Sequence, residues 1–174
     1  MVIASLCSCS VVRQGIVAGT PQVVDTAGGV QMYDLQLTYK NVNFGGMLLL
    51  KREGNDKNRF VLTSTFGMTV FDIETSGNGY KVNYVIQAIN HRKVLYLLWS
   101  DFSILMRPDF FTRIHYTYTD QGYLKSLIRS GSVTKAVMNF NNYSQTFPAD
   151  IEIDHPYLKL NIKLKKLEDV TGAL

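Results

Sequence analysis

Histidine is the side chain that most readily changes charge near neutral pH and most often ligates metals, and this chain has three, His91, His115 and His155. Each stands singly, without a second histidine, a cysteine or paired carboxylates at metal-ligand spacing, so each reads as a surface or internally satisfied residue. Asp150, Glu152 and Asp154 alternate with Ile151 and Ile153, which puts the acids on one face of a strand. An ordinary wet strand face has that pattern too. No serine sits in a G-x-S-x-G elbow and no glycine-rich phosphate cradle is present. The lysines Lys159, Lys163, Lys165 and Lys166 could meet anionic headgroups, or could simply be a solvated face that protects a strand edge. With no catalytic constellation, no metal set and no cofactor motif, an enzyme is not expected.

The cysteines are more informative. Both lie in Met1-Val-Ile-Ala-Ser-Leu-Cys-Ser-Cys9, and Leu6-Cys7-Ser8-Cys9 has the order of a bacterial lipobox: an apolar residue, two small ones, then the cysteine to be acylated. On this reading 1–8 is the remnant of a signal peptide, Cys9 carries the lipid and 9–30, rich in glycine, is the tether to a folded body. The alternative is an apolar N-terminal strand with incidental cysteines. Ser10 stands where an inner-membrane retention signal would place Asp, so the expected address is the periplasmic face of the outer membrane. In that setting the match of Asn142-Tyr-Ser144 to a eukaryotic glycosylation acceptor carries little weight. No apolar run approaches the roughly 18 residues of a spanning helix, so membrane contact is expected to be peripheral. The 18 basic residues are scattered among 14 acidic ones, a net charge of +4, too weak a signal for nucleic acid.

The elements that must position any site read mainly as strands. Tyr33, Leu35, Leu37 and Tyr39 alternate with Asp34, Gln36, Thr38 and Lys40, the signature of a half-buried strand. Gly45-Gly46 reads as a break. Further strands are expected at 47–52, 59–64, 68–74, 80–86, 114–119, 123–129, 134–139, 151–154 and 157–165, with turns at Glu53 to Asn58, Thr65-Phe66-Gly67 and Ser76 to Gly79. One helix is predicted from an Asn90 cap to Met106, stopping before Arg107-Pro108. Val94, Leu95, Leu98, Phe102 and Leu105 form its apolar stripe, while Tyr96, Leu97, Trp99 and Ile104 spread apolar character to other faces. Such a helix is covered on two sides or covers a cavity. The fold class is mainly β with few α, a curled antiparallel sheet at 31–168 followed by a tail at 169–174.

The stretch from Met47 to Glu74 resembles the LolA/LolB family of lipoprotein carriers and receptors, and looks closest to the outer-membrane receptor branch, LolB. The shared order is an apolar strand, a polar turn, the strand Arg59-Phe60-Val61-Leu62-Thr63, a hydrophobic-Gly loop and another strand. Phe147 to Asp154 followed by Leu158 to Leu164 resembles the family's closing hairpin, and the matched pieces cover about a third of the chain. The chain also generally resembles lipoproteins of the Bacteroidota type. The resemblance implies an unclosed, strongly curved antiparallel β-barrel whose helical lid covers an apolar cavity, although the family's lid usually has more than one helix and only one is read here. It also implies a protruding apolar side chain just before the matched glycine, which would make Phe66 and Gly67 the membrane-insertion loop. Candidate acyl-cavity residues are Leu48, Leu50, Leu62, Val70, Leu95, Leu98, Leu160 and Ile162, which would be plain core in any small barrel. The partners implied are acylated lipoproteins or lipid, a periplasmic LolA-like carrier and the outer-membrane surface, with a monomer expected. The rival is a lipid-tethered accessory subunit of an envelope complex, with a packed core and no ligand.

Overall fold

A computed structural model describes residues 21–167 except 26, 28, 40, 41, 55, 78, 132 and 133. Cys7, Cys9, Ser10, the signal-peptide remnant and the 169–174 tail therefore lie outside the described residues, as does the tether up to residue 20.

Alternating side chains build ten strands: β1 (Val30–Tyr39), β2 (Val42–Arg52), β3 (Lys57–Ser64), β4 (Thr69–Ser76), β5 (Gly79–Val85), β6 (Ile114–Tyr118), β7 (Leu124–Arg129), β8 (Ala136–Ser144), β9 (Phe147–His155) and β10 (Leu160–Lys166). All pairings are antiparallel, in the order β5-β4-β3-β2-β1-β10-β9-β8-β7-β6. The first and last strands meet in the middle, Leu35 opposite Leu164 and Leu37 opposite Ile162. β5 and β6 are left as edges, so the sheet curls without closing, as the sequence predicts. Period two sorts the faces: Tyr33, Leu35, Leu48, Leu50, Phe60 and Leu62 point into the core, while Lys51, Arg59 and Lys163 point out. On the outer face Arg59 pairs with Asp72 across β3 and β4 through two hydrogen bonds, which hold the Asp72 carboxyl below its ordinary range.

The helix, α1 (Arg92–Met106), follows β5 after a short 3-10 turn at Gln87–Ile89. Its cap is His91, whose Nδ1 accepts from the Lys93 N–H, while Asn90 closes the preceding turn instead of opening the helix. Proline at 108 pushes Arg107 out of the helical region, and the Arg107 N–H still bonds Ser103 to close the last turn. Residues Leu97 to Met106 are all buried, so the helix is enclosed on every side over that length.

Three sequence expectations shift for identifiable reasons. Gly45-Gly46 does not break the sheet: β2 runs through it, and Gly46 is needed because a Cβ there would stand 2.1 Å from the Thr63 carbonyl oxygen. The last strand starts at Leu160 and not at 157, because Pro156 to Lys159 form the turn and Lys159 takes a positive φ of 52°. β8 runs to Ser144 and β9 starts at Phe147, beyond the strands expected at 134–139 and 151–154, so the two meet at the turn Gln145-Thr146. Within the stretch expected to be a tether, Val23 and Val24 are buried in the core cluster.

Candidate functional site

The inner face of the sheet is apolar and α1 lies against it, joined to its two halves by different chemistry. Toward β3 and β4 the contact is aromatic: Phe102 meets Phe60 edge-on at 5.8 Å and stacks with Phe71 at 6.1 Å. Toward β5 it continues through Trp99, stacked on Tyr80 at 5.5 Å, with Tyr96 and Phe111 also against the indole. On the other half the contact is polar. Asp101 is wholly buried, shares a 2.6 Å hydrogen bond with His155 Nε2 at the end of β9, and stands 3.4 Å from the Arg129 guanidinium on β7. Arg129 in turn donates to the Thr134 carbonyl. One carboxylate on the helix thus ties down two strands of the half that the aromatic contacts do not reach.

His155, expected from the sequence to be a surface or internally satisfied residue, is buried and bonded to Asp101 through Nε2, while its Nδ1 has no hydrogen-bond partner among the described residues. Its partner was not foreseen, and the available signal was Asp101 as the one charged residue in the stretch Val94 to Met106. His91 caps the helix and His115 is exposed on β6. Among the described residues no group of histidine, cysteine and acidic side chains could hold a metal ion. Asp150, Glu152 and Asp154 lie half-buried on the outer face, where Glu152 accepts from Asn161 and Asp150 from Asn142.

Leu48, Leu50, Leu62, Val70, Leu95, Leu98, Leu160 and Ile162 are all brought together in one buried cluster. None of them lines the three surface clefts found among the described residues, one of which, about 370 Å³ between β3, β4 and β5, is walled by Glu53, Lys57, Glu74 and Lys81 among others. Beyond the helix, near the β6 edge, the inner face carries Tyr116, Tyr118 and Tyr143. Burial raises all three phenols, Tyr143 up to about 12, and the Tyr143 hydroxyl donates to the Leu124 carbonyl.

Phe66 sits apart from this interior. Ser64 accepts from the Gly67 N–H and donates its own N–H to Met68, while its hydroxyl accepts from the Met68 N–H. Gly67, at φ 77°, takes the left-handed position of a three-residue hairpin. The turn holds Phe66 at 87% exposure and Met68 at 66%. The β6–β7 hairpin is built identically: Thr119 bonds Gly122 and Tyr123 in the same pattern, its hydroxyl accepts from Tyr123, and Gly122 has φ 86°. There the tip residues are Asp120 and Gln121. The geometry therefore makes no demand for an aromatic ring at position 66.

Among the described residues no helix is long and apolar enough to cross a membrane. No family model and no curated protein matches the chain. Among solved structures it is similar to the crystal structure of a domain named as an outer membrane lipoprotein-sorting protein, from Vibrio parahaemolyticus, with 9% identity, 84% of this chain and 87% of that chain covered, and a TM-score of 0.43. The likeness assigns no residue a role.

Proposed function

We propose that this chain is an outer-membrane-anchored lipoprotein, held at the periplasmic face through Cys9, which accepts the acyl chains of other lipoproteins against the inner face of its sheet and helps insert them into the membrane. The observation that carries the reading is Phe66. A ring left 87% exposed costs solubility, and the matching turn at Asp120-Gln121-Gly122 manages without one. A ring at a rigid tip can enter the headgroup boundary and bury its faces there.

The interior supplies the other half of the task. Each buried CH₂ contributes about 0.8 kcal/mol, so a ten-carbon stretch of acyl chain exposed to water costs on the order of 8 kcal/mol. Leu48, Leu50, Leu62, Val70, Leu160 and Ile162 would meet such a chain once α1, with Leu95 and Leu98, moves aside. Cargo would come from a periplasmic LolA-like carrier, and neither catalysis nor a cofactor is needed. The accessory-subunit reading draws support from one observation: these side chains are packed around the helix, with Leu48, Leu50 and Ile162 at 0% exposure.

Delivery is tested by loading a triacylated lipoprotein on a carrier and measuring its transfer to vesicles. With Phe66→Glu, transfer should fall to background while the thermal melt is unchanged. Transfer at the parent rate would remove Phe66 from the mechanism.

A further inference from the structure

We propose that the β9–β10 turn, with Tyr157 at its tip, is a second membrane-contacting element, so that the protein meets an anionic lipid surface with one whole end of its sheet. This rests on the reading that Phe66 enters a bilayer. In the antiparallel order of the strands, the β3–β4, β1–β2, β9–β10 and β7–β8 connections all leave the sheet at the same end. The Phe66 and Tyr157 turns are four strand spacings apart, roughly 19 Å along the sheet.

The two turns are built alike. Leu158 donates its N–H to the His155 carbonyl, which places Tyr157 in the third position of a β-turn, the position Phe66 holds in Ser64 to Gly67. Pro156 presets the second position, and the turn is anchored by His155, buried and bonded to Asp101. Tyr157 is nevertheless 66% exposed. An amphipathic ring with its hydroxyl toward water suits the headgroup level.

Charge divides the two ends in the sense a lipid surface requires. Among the described residues, the turns at the Phe66 end hold Lys159 and Lys135 and no acid. The turns at the opposite end hold Glu53 and Asp56, ion-paired with Lys51 and Arg107, and Asp120, whose carboxylate an anionic surface would repel. Exposed apolar side chains and described turns free of acid thus coincide at one end, and a bilayer is the partner that fits both.

The test is flotation of the full-length chain, purified without acylation, with vesicles of phosphatidylethanolamine and phosphatidylglycerol. Phe66→Ser and Tyr157→Ser should each weaken partitioning roughly five-fold, and the pair more than ten-fold. Tyr157→Phe should retain most of the binding, and Tyr123→Ser, at the opposite end, should stay within about two-fold of the parent, since its ring never nears the lipid. Brominated lipids should quench the added fluorescence of Tyr157→Trp and spare that of Tyr123→Trp. A Tyr157→Ser chain that floats like the parent while Phe66→Ser is weakened would overturn the second contact and leave the Phe66 reading standing. If neither substitution matters, or if Tyr123→Ser matters as much, both fall.

Discussion

Asp101 has no water to turn to. Its carboxylate is fully buried between His155 and Arg129, and removing it would strand both partners in the core. Breaking a buried pair from one side costs about 3–5 kcal/mol, so Asp101→Ala should lower the melting temperature by roughly 10 °C. Asp101→Asn keeps an acceptor toward His155 and should lose less; equal losses would show that the hydrogen bond contributes nothing. Tyr143 gives a prediction in alkali. Its phenol holds its proton in the fold up to about 12, against an ordinary value of 10.0. Stability from this group is therefore complete below pH 10 and lost as pH rises toward 12, because the unfolded chain ionises first. Tyr143→Phe should flatten the fall in urea midpoint over that interval; Tyr33, Tyr116 and Tyr118, also raised, keep some slope. An unchanged slope would place the alkaline sensitivity elsewhere. At this scale the sequence was legible for residues whose role is local. Phe66 before a glycine reads as a loop tip, and the structure exposes it. Asp101 and His155 stand 54 positions apart, and no local pattern announces that they meet.

Period two made most of the strands visible, and where it failed a particular residue is responsible. The strand expected at 134–139 stops short of Asn141 and Asn142, yet β8 continues through them, with Asn141 in register with Asp150 on β9, where a polar outer face accepts it. Gly46 reads as a break and is in truth a close approach of β2 to β3. That distinction is testable: Gly46→Ala would drive a Cβ into the Thr63 carbonyl and should cost about 2 kcal/mol or more. Gly45→Ala, whose nearest contact is 3.8 Å, should stay within about 1 kcal/mol of the parent. Equal urea midpoints for the two variants would refute the account of this strand pair. The turn glycines carry their own constraint, since Gly67 lies at φ 77°, and Gly67→Ala should cost on the order of 1 kcal/mol and loosen the Phe66 tip.

At the scale of the molecule, the curled open sheet and the long helix α1 were foreseeable from strand count and from a helix too apolar for one wet side. What fills the curve was not foreseeable, because a leucine that lines a cavity and one that packs a core have the same period and the same neighbours in sequence. The fold joins α1 to one half of the sheet by rings and to the other by one buried carboxylate, and the Phe66 and Tyr157 turns project from one end. The account assigns the inner face to acyl chains and that end to the membrane. The most direct measurement is native mass spectrometry of the full-length, unacylated chain after incubation with a triacylated lipopeptide. The account predicts a one-to-one complex that survives transfer to the gas phase and that excess free fatty acid competes away. A chain that stays empty at saturating lipopeptide would contradict it and leave the packed core of an accessory subunit as the function of the interior.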